Sequence, residues 1–265
     1  MHTMANLAGT SETWRILDLS YASAYQNLAL EEALVQDDLS EDLTPTIRVW
    51  INPPAAVIGR FQDVKSEVDM KFCEQNQIQI VRRFTGGGAV YHDEGNLNFT
   101  IVMLKPESVG LLEFHKINAF IIQDCLSGLG LISEFTPPNS VEIAGKKISG
   151  AAAGFYRKQS LWHASILVST DIVTATHVLS PSQLNFEATH VRSRWKPVTT
   201  LEASLGKHVP LDEVKACLLR SFEKLNGARL QSLPLSDAET KRMHNLLLSK
   251  YSNYEWNYLG TWSEG

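Results

Sequence analysis

Apolar positions recur along this chain at two periods, and the periods sort it into elements. Alternation at two marks strands. It is clearest over residues 96–104, where Leu97, Phe99 and Ile101 fall on one face and Asn98, Thr100 and Val102 on the other. Residues 14–17, 46–51, 55–58 and the β-branched run 78–83 read as further strands, followed by 141–143, 147–152 and 161–169. Spacing at three and four marks helices. Residues 22–35 are rich in strong helix formers. Residues 112–129 set Phe114, Ile117, Ile121, Cys125 and Leu129 on one side, and 211–225 do the same with Leu211, Val214, Leu218 and Phe222. Residues 65–75 read as one helix, and 37–45 as an acidic loop. Ser236-Asp237-Ala238-Glu239 carries the residues of a capping box that opens a last helix through Ser249.

Strands crowd the middle of the chain and helices its ends. A doubly wound sheet would alternate the two more regularly, so the pattern predicts an α+β fold with a mostly antiparallel sheet flanked by helices. With no repeat and no clear linker, residues 1–265 read as one domain; a compositional break at 197–210 leaves a small terminal lobe as the alternative.

Composition narrows the class without choosing a function. Hydrophobic residues make up 44% of the 265 and charged residues 20%, ordinary for a globular protein with a sizeable core. A net charge of −5 gives no support for broad nucleic-acid binding. Cys73, Cys125 and Cys217 lie far apart with no CxxC pair, which speaks against a disulfide framework or zinc knuckle and fits a reducing cytoplasm. No leader of basic then apolar residues opens the chain, and no run of about 18 apolar residues spans a membrane. The eight histidines are dispersed, so no metal-ligand set is assigned.

Chemistry concentrates in three segments. In Arg82-Arg83-Phe84-Thr85-Gly86-Gly87-Gly88-Ala89-Val90-Tyr91-His92-Asp93, three consecutive glycines stand between strands. They contribute no side chains to a core, so something needs the backbone close or at positive φ. Exposed N–H groups of such a turn suit phosphate or carboxylate oxygens, and the two arginines add cationic donors. The alternative is a glycine-rich hairpin with solvated arginines. Second, Asn139 to Gly150 reads NSVEIAGKKISG, with Lys147 on a strand that ends in small residues; it either reaches a ligand or guards a sheet edge. Third, His163 lies in the apolar strand Leu161-Trp162-His163-Ala164-Ser165 as a ligand contact or a satisfied core histidine, and His92 carries the same two readings. Asn96 and Asn98 read as capping or turn residues.

In this order the segments resemble the lipoate–protein ligase A family of the biotin/lipoate ligase superfamily. Arg82 to Phe99 match the family's RRxxGGGxVxHDxGNxxF motif at every fixed position, Lys147-Ile148-Ser149-Gly150 match its K-[IV]-S-G motif, and His163 to Leu167 match its H-[GA]-x-[LI]-L pattern. Val57 to Gln62 look like its VIGRxQ strand end. The resemblance implies a biotin/lipoate ligase-like catalytic domain that activates lipoate with ATP and Mg²⁺ to lipoyl-AMP and passes the lipoyl group to a lysine. It implies that Lys147 stabilises charge on the lipoyl carbonyl and α-phosphate. Arg83, Gly86, Gly87, Gly88, Ala89, Val90, His92, Asn139, Ser149, Gly150 and His163 would form the adenylate site. Acceptors implied are apo lipoyl domains of 2-oxoacid dehydrogenases and the glycine-cleavage H protein. The chain resembles the short archaeal form without the C-terminal accessory domain, which implies a small accessory subunit for the ATP step. The rival is a lipoyl or octanoyl transferase without ATP; related transferases carry a cysteine where Phe135 to Ser140 read FTPPNS. The biotin family's GRGRxGR loop is absent.

Overall fold

The computed structural model of the chain describes residues 13–36, 44–107, 109–179 and 191–262; most of the acidic loop read at 37–45 lies outside them, as does the chain start. Eight strands form the large sheet: β1 (Thr13–Asp18), β2 (Thr46–Trp50), β6 (Asn96–Leu104), β7 (Glu134–Thr136), β8 (Ser140–Ile143), β9 (Lys146–Tyr156), β10 (Gln159–Leu167) and β11 (Arg229–Ser232). Their spatial order is β11-β1-β2-β6-β10-β9-β8-β7. Only β1 pairs in parallel, with β11 and β2; every other neighbour pair is antiparallel, as the strand-rich middle of the sequence predicts. A small sheet packs beside it, with β3 (Ala55–Ile58) between β4 (Gln79–Arg82) and β5 (Val90–His92).

Burial explains the layers. On one face of the large sheet, Leu97, Phe99 and Ile101 of β6 meet Phe114 and Ile121 of α4 (Leu111–Gly128) and Phe222 of α7 (Leu211–Asn226). Leu201, Val209 and Val214 join that same core, so the chain beyond the break at 197–210 packs into it. On the other face α1 (Ala24–Val35) lies under both sheets, with ten of its twelve residues buried, Asn27, Glu31 and Glu32 among them. The polar face of β6 is therefore not a solvent face: Asn98 and Thr100 are buried as fully as Phe99.

Two readings change. Residues 65–75 are not one helix but two, α2 (Val64–Glu67) and α3 (Met70–Gln75). Asp63 and Asp69 each accept the backbone N–H three residues on, so Asp69 caps a new start, and the buried, β-branched Val68 between them is extended. The last helix has its capping box, with Ser236 and Glu239 exchanging bonds, but α8 (Asp237–Leu246) gives way to π-helical turns at Leu247–Tyr251 and Glu255–Leu259. Short helices α5 (Ile172–Val178) and α6 (Leu201–Leu205) complete the set. No described helix is long and apolar enough to cross a membrane.

Candidate active site

A cleft of about 330 Å³ opens where β6, β9 and β10, α1 and the glycine loop meet, and a second compartment of about 280 Å³ adjoins it. Lys147, Gly150, Ser165, Ala89 and Val90 line both, so they form the junction.

Lys147 reaches this junction through an irregularity in β9. In a regular strand, residues three apart point to opposite faces. Here Ser149 pairs with Val141 and Lys147 with Glu142, which leaves Ile148 as an extra residue. This bulge sends Ile148 into the main core and returns Lys147 to the cleft face shared with Gly150. A Cβ on Gly150 would stand 2.4 Å from the Lys147 ammonium, so a side chain there would push the lysine out of its present position along the strand. The Lys147 backbone is bonded on its far side too: its N–H donates to the Pro197 carbonyl (2.8 Å) and its carbonyl accepts the Thr199 N–H (3.0 Å). Among the described residues, no hydrogen-bond acceptor or anion pairs with its Nζ. Burial, with repulsion from Lys196 and Arg83, lowers its pKa to about 8, against the pull of Glu142.

The glycine loop is held by the arginine before it. Arg83 is buried and donates to the carbonyls of Gly86 (Nη2, 2.6 Å), Gly88 (2.8 Å) and Val57 (Nη1, 3.2 Å). Gly87 adopts φ +92°, and its carbonyl packs so tightly on Gly59 that a Cβ there would lie 2.1 Å away. The sequence offered both arginines as donors for ligand oxygens, and here the two separate. Arg82 points away from the cleft and donates to the carbonyls of Trp256 (2.8 Å), Gly59 (2.9 Å) and Gln62 (2.7 Å). Buried carbonyls with no ladder partner take these donors first. Arg83 keeps its charge at the cleft wall, where its bonds to the Gly86 and Gly88 carbonyls hold the loop.

His163 is a satisfied histidine that also lines the cleft. Its Nδ1 lies 2.9 Å from Glu31 Oε2 and its Nε2 2.9 Å from Thr85 Oγ1. A carboxylate only accepts, so Nδ1 carries the proton that it donates to Glu31. Glu31 also accepts from the Thr100 hydroxyl (2.5 Å), whose oxygen accepts the Trp50 indole N–H (3.0 Å). Burial pushes the Glu31 carboxyl up, but His163 and Arg48 pull it further down, and it ends below its ordinary value. His92 is buried beside Trp50, and its Nδ1 faces the Asn52 amide at 3.3 Å; burial drops its pKa to about 3, which keeps it neutral.

Of the remaining predicted residues, Gly87, Gly88 and Asn139 line the first cleft and Ser149 the second. The Asn139 amide is bonded to the Ala151 carbonyl (2.5 Å). Gly86 lines neither; its carbonyl belongs to Arg83. The sequence reading missed Glu31, Trp50, Thr85, Asn98 and the segment 191–198. Two adjacent glutamates inside an otherwise apolar helix, LALEEALV, are a signal for the first. The segment 191–198 has no periodicity to find. It crosses the junction, with Ser193 accepting the Ala89 N–H (2.8 Å) and donating its own N–H to Glu67 (3.1 Å), and it brings Arg192, Arg194 and Lys196 to the rim. Lys196 is paired with Glu142. Among the described residues no three His, Cys, Asp or Glu side chains converge on a metal site.

A half-buried lysine, a glycine loop and a two-chamber cleft form the candidate active site, and comparison with known proteins gives its family. Residues 23–223 match the lipoyl protein ligase A/B catalytic domain, and the chain belongs to that family. Among curated relatives, lipoate–protein ligase A subunit 1 of Thermoplasma acidophilum is 32% identical over 87% of this chain and 90% of that one. The octanoyltransferase LipM of Halalkalibacterium halodurans is 29% identical over 93% and 99%. Among solved structures, the bipartite lipoate protein ligase of T. acidophilum superposes with TM-score 0.84 at 29% identity, covering 96% of this chain and 99% of its own. A putative lipoate protein ligase of that organism with bound lipoic acid gives 0.80 at 28% identity, over 93% and 99%. A lipoate–protein ligase A bound with ATP gives 0.81 at 28% identity, over 93% and 98%.

Proposed function

We propose that this protein is an ATP-dependent lipoate–protein ligase, and the observation that carries the reading is the Lys147 ammonium, without an acceptor among the described residues, at the junction of two compartments. A carboxylate resists attack by an amine, so it must first become a mixed anhydride. In this reading lipoate occupies the first cleft and the nucleotide the second. The lipoate carboxylate attacks the α-phosphorus of ATP, the bond to the β-phosphate breaks, and pyrophosphate leaves. The acceptor lysine then attacks the acyl carbon and AMP leaves. Negative charge grows on the phosphoryl oxygens in the first step and on the carbonyl oxygen in the second. Lys147 is placed to stabilise both, since a cation already fixed in a partly dry site costs no reorganisation as the charge develops. We assign it electrostatic stabilisation and no covalent role. Arg192 and Arg194 at the rim suit the phosphate chain. Mg²⁺ enters with the triphosphate as part of the substrate; it needs only one or two protein carboxylates beside phosphate and water, and Glu67 is the carboxylate lining the second compartment.

The acceptor is a lipoyl domain of a 2-oxoacid dehydrogenase complex in this reading, and the ATP step uses a separate accessory chain. The T. acidophilum structure, a bipartite ligase with its E2 lipoyl domain, supports both. The transferase alternative requires a cysteine to carry the acyl group. Cys73, Cys125 and Cys217 are all buried in cores and line neither compartment; burial raises the Cys73 thiol to about 12 and pushes Cys125 up as well. The test is intact-mass analysis of an apo lipoyl domain after incubation with the chain, lipoate and Mg·ATP, or with synthetic lipoyl-AMP. We expect a lipoyl mass gain with lipoyl-AMP, and with ATP only once an accessory chain is added. A gain from lipoate and ATP alone removes the accessory chain; no gain from lipoyl-AMP removes the ligase reading.

A further inference from the structure

Asn98 lines the first cleft from β6 and is 2% exposed, yet its amide nitrogen is buried with no hydrogen-bond acceptor among the described residues. Three polar neighbours are engaged elsewhere: Thr100 with Glu31, Trp50 with Thr100, His163 with Glu31 and Thr85. A buried N–H left without a partner is costly, so one carried by a residue that lines the cleft points to an acceptor brought by the ligand.

Register shows which part of the substrate that is. Gly150 of β9 pairs with Ser165 of β10, Ser165 with Asn98 of β6, and Asn98 with Trp50 of β2, a single row across four strands. Neighbouring strands lie about 4.8 Å apart, which sets Asn98 ~10 Å from Gly150. The Lys147 ammonium rests against Gly150. An extended chain advances roughly 1.2 Å per bond, so an eight-carbon acyl group whose carboxyl sits at Lys147 and which runs along this row extends ~8 Å, within reach of the Asn98 side chain. The far end of a lipoyl group is a dithiolane; that of an octanoyl group is bare hydrocarbon. Sulfur accepts a weak hydrogen bond and makes favourable contact with an aromatic ring, here Trp50, and a terminal methyl does neither as well.

We propose that Asn98 makes this cleft selective for the lipoyl over the octanoyl group, donating its amide N–H to a dithiolane sulfur beside Trp50. The proposal rests on the ligase reading for which ligand enters the cleft, and binding tests it apart from turnover. Dissociation constants of non-hydrolysable sulfamoyl analogues of lipoyl-adenylate and octanoyl-adenylate are measured by calorimetry for the wild type, Asn98→Leu and Asn98→Ala, with thermal melts to check folding. We expect the wild type to favour the lipoyl analogue, and the variants to lose about tenfold in affinity for it, the scale of one buried donor, while the octanoyl analogue binds as well or better. Equal binding of the two analogues by the wild type overturns the proposal, as does a parallel loss of both in the variants. Selective binding by a wild type that transfers nothing to a lipoyl domain sinks the ligase reading and leaves the selectivity of Asn98 standing.

Discussion

A single ammonium group carries most of the chemistry assigned here, and its surroundings make its behaviour measurable. Removing one preorganised charge stabiliser from an active site costs about 10²–10³ in rate, so Lys147→Ala should lower lipoyl transfer from lipoyl-AMP by that much with the melting temperature little reduced. Retained wild-type turnover refutes the role. Burial lowers the Lys147 pKa to about 8, so the group is a cation below that pH and neutral above it. Affinity for the lipoyl-adenylate analogue should therefore fall as pH rises through about 8, and in Lys147→Ala this fall should vanish. Calorimetry across pH 6.5 to pH 9.5 checks it, and an unchanged slope in the variant would assign the titration to another group.

At the level of elements, β9 is the case where side-chain alternation does not suffice. The bulge at Ile148 places Lys147 and Gly150 on one face at a spacing of three. Gly150→Ala would put a methyl 2.4 Å from the Lys147 ammonium, and we expect transfer to drop about 100-fold, near the loss for the lysine itself, while the sheet still forms. Near-normal kcat/KM with a normal melt would show that the lysine has another route to the site. The same contrast sets what the sequence revealed. Both faces of β6 could be sorted by alternation, and the strand is where it was expected. That its polar face lies under α1 and not in water depends on a helix about 65–75 residues away, and no local pattern carries that fact. The split at Asp69 was legible in principle, since an aspartate three residues before Phe72 is a cap signal that competed with the longer helical spacing. The glycine loop stood out as a run of glycines between strands, whereas Lys147 and His163 each kept a structural reading until the family resemblance singled them out. The segment 191–198 was invisible because its place is set by backbone bonds to Phe61 and Lys147 and by the pairing of Ser193 with Glu67.

For the molecule as a whole, Arg82 ties distant parts of the chain together. It joins the Gly59–Gln62 turn to Trp256 in the terminal π-helical turn, and Trp256 returns its indole N–H to the Arg82 carbonyl (2.8 Å). Arg82→Ala strands several buried carbonyls and should destabilise the fold by roughly 3 kcal/mol while leaving the cleft chemistry intact in the folded fraction. Urea unfolding measures this, and a loss under about 0.5 kcal/mol, typical of a surface change, would reject it. Lys147 is secured differently. Its main chain is laddered to Glu142 on one side and to residues 197–199 on the other, and these bonds involve no side chain of the segment that crosses the cleft. Replacing the side chains of Arg192 and Arg194 therefore leaves the main-chain bonds that hold Lys147 in place. On the proposed reading, the rim that meets the ligand can change while the charge that serves the reaction keeps its position.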